Sequence, residues 1–420
     1  MYKTARLKNG IRIVCENIDY VRSASIGVWI GAGSAMENLG NNGVSHYIEH
    51  MLFKGTKTRS ARQIAEFMDS VGGQLNAVTS KEYTCFYAKT LTQHLGMAIE
   101  ILSDMLKNST FTEENIETER RVIAEEISMG EDDPEDYVHD CLSGILWNGA
   151  SLGFPIGGSQ DSLAKIGRQT MLDYMNTFYK SENIVISVVG NFDEDSLFAM
   201  LEDAFGGIET GFSNPYTQKP IEIKRNTTVV KKDIEQCQLC MGLGGFARDD
   251  KRRHSLYIMN AIFGGNMSSR LFQKVREEMG LAYSIYSYVN TYQKNGSLVI
   301  CAGLNNQKLI DALSAIGDEI KILKEEKLSK DAVAVAREQM KASVIMGLES
   351  MSARMSSYGK TVLYGQPLET LEDTIKTIDS VTHDTVAEVI DTVFDRSKLN
   401  IAVCGKQTET ETEIENAIVF

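Results

Sequence analysis

Hydrophobic positions along this chain change period several times, and each change marks a predicted element. Ile11-Arg12-Ile13-Val14-Cys15 and the apolar run near 23–30 read as strands. A helix is predicted near 42–54, because the polar, Gly-rich run 37–43 suits a loop and Met51-Leu52-Phe53 supplies an apolar face to bury. A second helix starts at about 61 behind the capping-box pattern Ser60-Ala61-Arg62-Gln63 and stops at Gly72-Gly73. Strands over 74–78 and 84–90, helices near 92–107 and 112–129, and the apolar strand 184–189 complete an α+β unit. Residues 206–220 have no sustained period and carry Gly206, Gly207, Gly211, Pro215 and Pro220, two of the chain's five prolines, which predicts an interdomain linker. The expected domains are 1–208, a linker over 209–220, and 221–420.

Beyond the linker the chain starts again. Residues 45–55 (SHYIEHMLFKG) lie over 255–265 (SLYIMNAIFGG) at an offset of 210. Leu95 onward resembles Leu309 onward, and 111–120 lies over 328–337 at an offset of 217. The bland reading is a coincidence of amphipathic helices. If the echo is a true repeat, one half carries polar residues that its copy lacks: His46, Glu49 and His50 meet Leu256, Met259 and Asn260, while Glu119 and Glu126 meet Ala336 and Ser343. Two similar halves with one site suggest a cleft between them, with the second half contributing binding groups.

At 420 residues the chain exceeds the usual single core, which agrees with two domains, and 43% hydrophobic residues can fill them. A net charge of -14 argues against nucleic acid and against an anionic membrane surface as partners. Seven scattered cysteines form no compact framework and favour a reducing compartment. Cys237 and Cys240 make a CxxC, but within the strand-like run 236–243 they read as strand residues. No signal peptide or membrane span is visible, so a bacterial cytoplasmic protein is expected, with a processed organellar form as the alternative.

The chemistry concentrates in His46-Tyr47-Ile48-Glu49-His50. On a helix these polar positions share one face, so two imidazoles can chelate one ion while Glu49 stands by the open coordination position as a proton acceptor. The order is His-x-x-Glu-His, and roughly 0.01 such pentapeptides are expected by chance in a chain of this composition. A catalytic zinc takes a third protein ligand. Ile116, Ile123 and Ile127 mark an amphipathic helix over 111–127, on which Glu119 and Glu126 project from one face; one carboxylate could bind and the other tune a ligand. Spacing alone does not choose among Glu117, Glu119, Glu125 and Glu126, and acidic residues on a helix ordinarily just face solvent.

The segments 7–14, 43–56, 120–127, 265–272 and 275–284 resemble the pitrilysin/insulinase-type inverzincin metallopeptidases, in particular the mitochondrial processing peptidase-like branch, over nearly the whole chain. The resemblance implies two homologous halves, each an antiparallel sheet packed against helices, closing on a central cleft. It puts the third zinc ligand on Glu126, with one Zn2+ per chain held by His46, His50 and Glu126, and a supporting carboxylate on Glu119. It makes Glu49 the general base, and it matches 75–79 to an edge strand where a peptide adds, with Asn76 and Ala77 on the substrate main chain. Arg276 and Tyr283 match the pair that holds substrate and stabilises the scissile carbonyl; read without the family, Arg276 is one charge in a helix and Tyr283 a buried aromatic. The implied activity is zinc-dependent endopeptidase cleavage of peptides or unfolded segments, in a homodimer. The second half lacks a long Gly-rich loop, having Phe263-Gly264-Gly265-Asn266, which favours the catalytic side over the rival reading, an idle peptide-binding or structural subunit.

Overall fold

The computed structural model describes residues 2–214 and 219–420; Pro215, in the predicted linker, lies outside them. The first sheet holds β1 (Tyr2–Arg6), β2 (Arg12–Asn17), β3 (Ser23–Ile30), β4 (Gln74–Thr79), β5 (Thr84–Leu91) and β6 (Ile184–Gly190), in the order β1-β2-β6-β3-β5-β4. The second holds β7 (Asn226–Lys231), β8 (Gln236–Gly244), β9 (Ala282–Thr291), β10 (Gly296–Asn305) and β11 (Asn400–Gly405), in the order β7-β11-β8-β10-β9. Laid over β2-β6-β3-β5-β4, the second order is the same, so the echo in sequence is an echo in topology.

Each sheet departs from pure antiparallel pairing at one place. β2 runs parallel to β6 and β7 runs parallel to β11, whereas the other neighbours are antiparallel. The reason is connectivity: most of a half lies between the members of each parallel pair, and a long crossover frees them from hairpin geometry. β6, Ile184-Val185-Ile186-Ser187-Val188-Val189-Gly190, is buried along its whole length. It therefore reads as a continuous apolar run, as a strand covered on both faces must.

The helices of the first half include α1 (Val44–Leu52), α2 (Ala61–Asp69), α3 (Leu95–Asn108), α4 (Glu113–Asp132) and α5 (Pro134–Leu146). The capping box at α2 forms, with Ser60 Oγ accepting from the Gln63 amide and Gln63 Oε1 accepting from the Ser60 amide. The first core gathers Ile26, Val28, Tyr47, Ile48, Met51, Phe86, Leu102 and Ile116 from sheet and helices.

The compact units do not follow the linear halves. One comprises 2–127, 155–214 and 345–368; the other comprises 128–154, 219–344 and 369–420. Boundaries drawn at 208 and 221 thus miss an exchange of helices. α5 presents Val138, Leu142 and Leu146 to the second sheet, where Gly242 has no side chain to obstruct the Leu142 and Leu146 methyls. In return the helix Met351–Leu363 packs on β3 and β6 of the first sheet; Met355 joins Trp29 and Val185 in a buried cluster, and Gly359 leaves the space that the Trp29 indole fills. Arg354 and the Tyr358 hydroxyl both donate to Glu16 at 2.9 and 3.0 Å, fixing that helix to β2.

Candidate metal centre

α1 is held at its start by a buried carboxylate. Glu37 accepts from the amides of Gly43 (2.7 Å) and Ser45 (2.9 Å) and from the Asn42 side chain (2.9 Å), so it satisfies donors that a helix N-terminus leaves open. Burial outweighs these bonds and raises the Glu37 pKa. Gly43 sits at φ 95, and a Cβ there would stand 2.7 Å from the Gly157 carbonyl oxygen, so the turn into α1 requires glycine. Val44, Tyr47, Ile48, Met51 and Leu52 are buried, which leaves His46, Glu49 and His50 on the partly exposed face.

α4 is locked against α1. The Tyr47 hydroxyl donates to the Ile116 carbonyl, Asn115 Nδ2 donates to the Lys54 carbonyl at 2.7 Å, and Arg120 reaches the carbonyls of Leu163 and Ile166. This brings Glu126 Oε2 to 3.4 Å from His50 Nε2 and 3.9 Å from His46 Nε2. All three ligand atoms lie within 4.8 Å of one another. Tetrahedral zinc with bonds of roughly 2.0–2.2 Å separates its ligands by about 3.3–3.6 Å, so the Glu126–His50 pair already fits and the Glu126–His46 pair needs a few tenths of an ångström.

Glu119 is buried one layer behind. Its Oε2 lies 3.2 Å from His50 Nδ1 and its Oε1 lies 2.8 Å from Lys54 Nζ, so it fixes the His50 ring with Nε2 turned toward Glu126. Glu117 instead pairs with Arg120 on the surface, and Glu125 is exposed. Spacing had left these carboxylates equivalent; the packing of α4 separates them. Burial, with the neighbouring His50 adding to it, pushes the His46 pKa down to about 4. At neutral pH this ring is therefore uncharged, the form that binds a metal.

Glu49 completes the constellation. Thr79, at the end of β4, donates its hydroxyl to the Glu49 carboxylate. Burial is the largest influence and raises the Glu49 pKa, with the Thr79 bond and His50 opposing it. Such a carboxylate is a better proton acceptor than an exposed one.

β4 is the free edge of its sheet. The Ala77 amide donates to Asn76 Oδ1 at 2.8 Å, so it is not spent on β5 and faces the open side. Antiparallel alternation gives Leu75 and Thr79 the same outward sense, and the hairpin-closing bond from the Ser80 amide to the Tyr83 carbonyl sets that phase. An unpaired ladder thus leads up to Glu49.

The remaining two candidates belong to the other unit. Arg276 lies on a π-helical turn, Phe272–Glu278, with its guanidinium 4.5 Å from the Phe272 ring centroid and beside Glu277. Tyr283 is 76% exposed, against the buried aromatic that its sequence context suggests. The cause is a bulge: Gly303 pairs with Ser284 and Leu304 with Ala282, which leaves Tyr283 unpaired and turned outward on the edge strand β9. Two positioning residues escaped the sequence reading, Glu37 and Thr79. Glu37 stands six residues before the helix cap, and Thr79 matters through strand register, so neither has a local motif.

Family models match along the chain: Insulinase (Peptidase family M16) over residues 12–160 and Peptidase M16 inactive domain over 165–340. The chain is 43% identical over 381 residues to the uncharacterized zinc protease YmxG of Bacillus subtilis, covering 91% of this chain and 93% of that protein. It is 36% identical over 406 residues to the uncharacterized zinc protease SCO5738 of Streptomyces coelicolor, covering 95% and 88%. In fold it is similar to a protease from Helicobacter pylori, with a TM-score of 0.90 at 21% identity over 96% of this chain and 99% of that one. A Pseudomonas fluorescens structure described as a peptidase M16 inactive domain has a TM-score of 0.91 at 18% identity, over 98% and 99%. Sequence and fold agree, and the chain belongs to the insulinase family of peptidases, family M16.

Proposed function

We propose that this protein is a zinc-dependent endopeptidase that hydrolyses peptides or unfolded segments bound as an added strand along β4. One observation carries the reading: His46, His50 and Glu126 converge beside Glu49 at the end of an open sheet edge. When bound, zinc supplies Lewis acidity, lowering the pKa of water and polarising a carbonyl. His46, His50 and Glu126 would hold one ion per chain, and Glu119 would keep His50 oriented.

The chain's own groups do the rest. The outward amides and carbonyls of β4 pair with an extended backbone and pull its scissile bond toward Glu49. Asn76 Oδ1 occupies the Ala77 amide in the free state and must release it to the incoming strand. Glu49, aimed by Thr79, accepts a proton from the attacking water and delivers it to the leaving amine. Arg276 and Tyr283 are assigned to substrate holding and oxyanion stabilisation from the family resemblance, and the outward bulge at Tyr283 supports a role for its hydroxyl. Main-chain pairing reads extension rather than side chains, which is why the proposed substrate class is unfolded or short peptides.

Seven unpaired cysteines support a reducing, cytoplasmic setting, and a homodimer is the proposed assembly. No described helix is long and apolar enough to cross a membrane. The test is incubation with an internally quenched peptide, with and without a chelator. Chelator-sensitive cleavage supports the peptidase; binding without cleavage by the zinc-loaded protein would point to an idle subunit.

A further inference from the structure

A second cluster of reactive side chains lies far along the chain from the His46 motif, within the other unit. Cys240 of β8 and Cys301 of β10 are directly opposed in register, and their sulfurs lie 2.8 Å apart. Directly opposed antiparallel residues have Cα separations of about 4.5–5.5 Å, within the span of a disulfide, so side-chain rotation alone closes the bond. The CxxC partner is excluded by strand alternation: Cys237 points into the opposite core from Cys240.

His139 of α5 lies over the pair. Cys240 Sγ is 3.7 Å from Nδ1 and 3.8 Å from Nε2; Cys301 Sγ is 3.9 and 3.7 Å from the same atoms. Near-equal distances take the sulfurs off both lone-pair axes. Those axes meet phenols instead, Nδ1 at Tyr288 Oη (3.0 Å) and Nε2 at Tyr286 Oη (3.4 Å), and Tyr286 also donates to Glu135 at 3.3 Å. The three residues are close enough to suggest a metal, yet zinc on two thiolates at about 2.3 Å would part the sulfurs to nearly 3.8 Å. The ring supplies positive charge beside the sulfurs without presenting a lone pair to a shared ion.

The two thiols are inequivalent. Burial opposes ionisation of Cys301, but hydrogen bonding from Cys240 and the adjacent His139 outweigh it and bring its pKa down to about 7. Burial pushes Cys240 up, and the neighbouring Cys301 raises His139. Cys301 is thus the more readily ionised of the two, and Cys240 the one that keeps its proton longer.

We propose that Cys240 and Cys301 are a redox modification site, forming a reversible cross-strand disulfide with a peroxide as oxidant. Cys301 thiolate attacks one peroxide oxygen, the O–O bond breaks, and the departing hydroxide takes a proton from His139 to leave as water. Cys240 then attacks the Cys301 sulfenic sulfur, and its proton leaves with the expelled hydroxide as the second water. Two thiols and one hydrogen peroxide give one disulfide and two waters. A dithiol reductant reverses the bond by thiol–disulfide exchange.

The test treats the zinc-loaded full-length protein with hydrogen peroxide, unfolds it, alkylates the remaining thiols and maps peptides by mass. The expected product links the Cys240 and Cys301 peptides, disappears on adding dithiothreitol, and is absent from Cys301→Ala. His139→Gln should slow its formation about fivefold or more at pH 7, a gap that narrows as rising pH ionises Cys301 without the imidazole. Circular dichroism reports whether either variant is folded; the wild-type map stands without them. The proposal is overturned if the wild type gives no Cys240–Cys301 peptide, if Cys141 and Cys404 link instead, or if zinc content falls from two per chain to one in Cys301→Ala.

Discussion

His50 shows how much one side chain can be asked to do. Its Nε2 faces Glu126 while its Nδ1 is held by Glu119, which is held in turn by Lys54. Removing the supporting carboxylate should cost metal affinity rather than chemistry: Glu119→Gln is expected to bind zinc about 10–100-fold more weakly, read by competition with a chromogenic chelator. Unchanged affinity would mean that Glu119 does not orient the ring. Glu49→Gln should do the reverse, keeping zinc while losing at least about a hundredfold in kcat. Retained turnover in that variant would remove Glu49 as the base. The motif residues were legible because helical spacing alone puts 46, 49 and 50 on one face. Glu126 was not, since spacing alone does not choose among Glu117, Glu119, Glu125 and Glu126 on α4, and only the family resemblance or the packed structure tells them apart. Thr79 and Glu37 act through register and burial, which a one-dimensional pattern does not carry.

Among elements, β4 makes the sharpest claim. Its outward amide at Ala77 is not part of the β4–β5 ladder, so Ala77→Pro should spare the fold while removing a donor from the free edge. A fall of at least about tenfold in kcat/KM is expected, on the order of one lost hydrogen bond to a main chain plus the ring's bulk, with a near-native melting temperature. If kcat/KM is unaffected in a folded variant, the peptide does not add at this edge. α5 makes a different claim, because its apolar residues fill space that Gly242 leaves on the second sheet. Leu142→Ala should destabilise the protein by about 2–5 kcal/mol in urea unfolding; a change below about 1 kcal/mol would contradict this packing. Helix and strand positions were readable from period, yet the exchange of α5 and the helix Met351–Leu363 was not. Amphipathic spacing says that a helix has an apolar face and is silent on which sheet receives it. The bulge at Tyr283 was hidden for a similar reason, since one extra residue in β9 reverses which side chains face out.

At the scale of the whole chain, one topology appears twice and one set of ligands appears once. Sheet orders β2-β6-β3-β5-β4 and β7-β11-β8-β10-β9 correspond, including their single parallel pair, while Leu256, Met259 and Asn260 stand where the first half has His46, Glu49 and His50. Leu256 and Met259 are fully buried, so the second half has filled that helix face with packing rather than chemistry. The repeat was visible in the sequence as an offset of 210, because the same core demands similar apolar residues at similar places. A single ligand set predicts a single ion. The most direct measurement is therefore titration of the metal-free protein with zinc while following hydrolysis of a quenched peptide. Activity should rise from nil and level off at one equivalent per chain; a plateau at two equivalents, or no hydrolysis at any, would contradict a one-zinc peptidase.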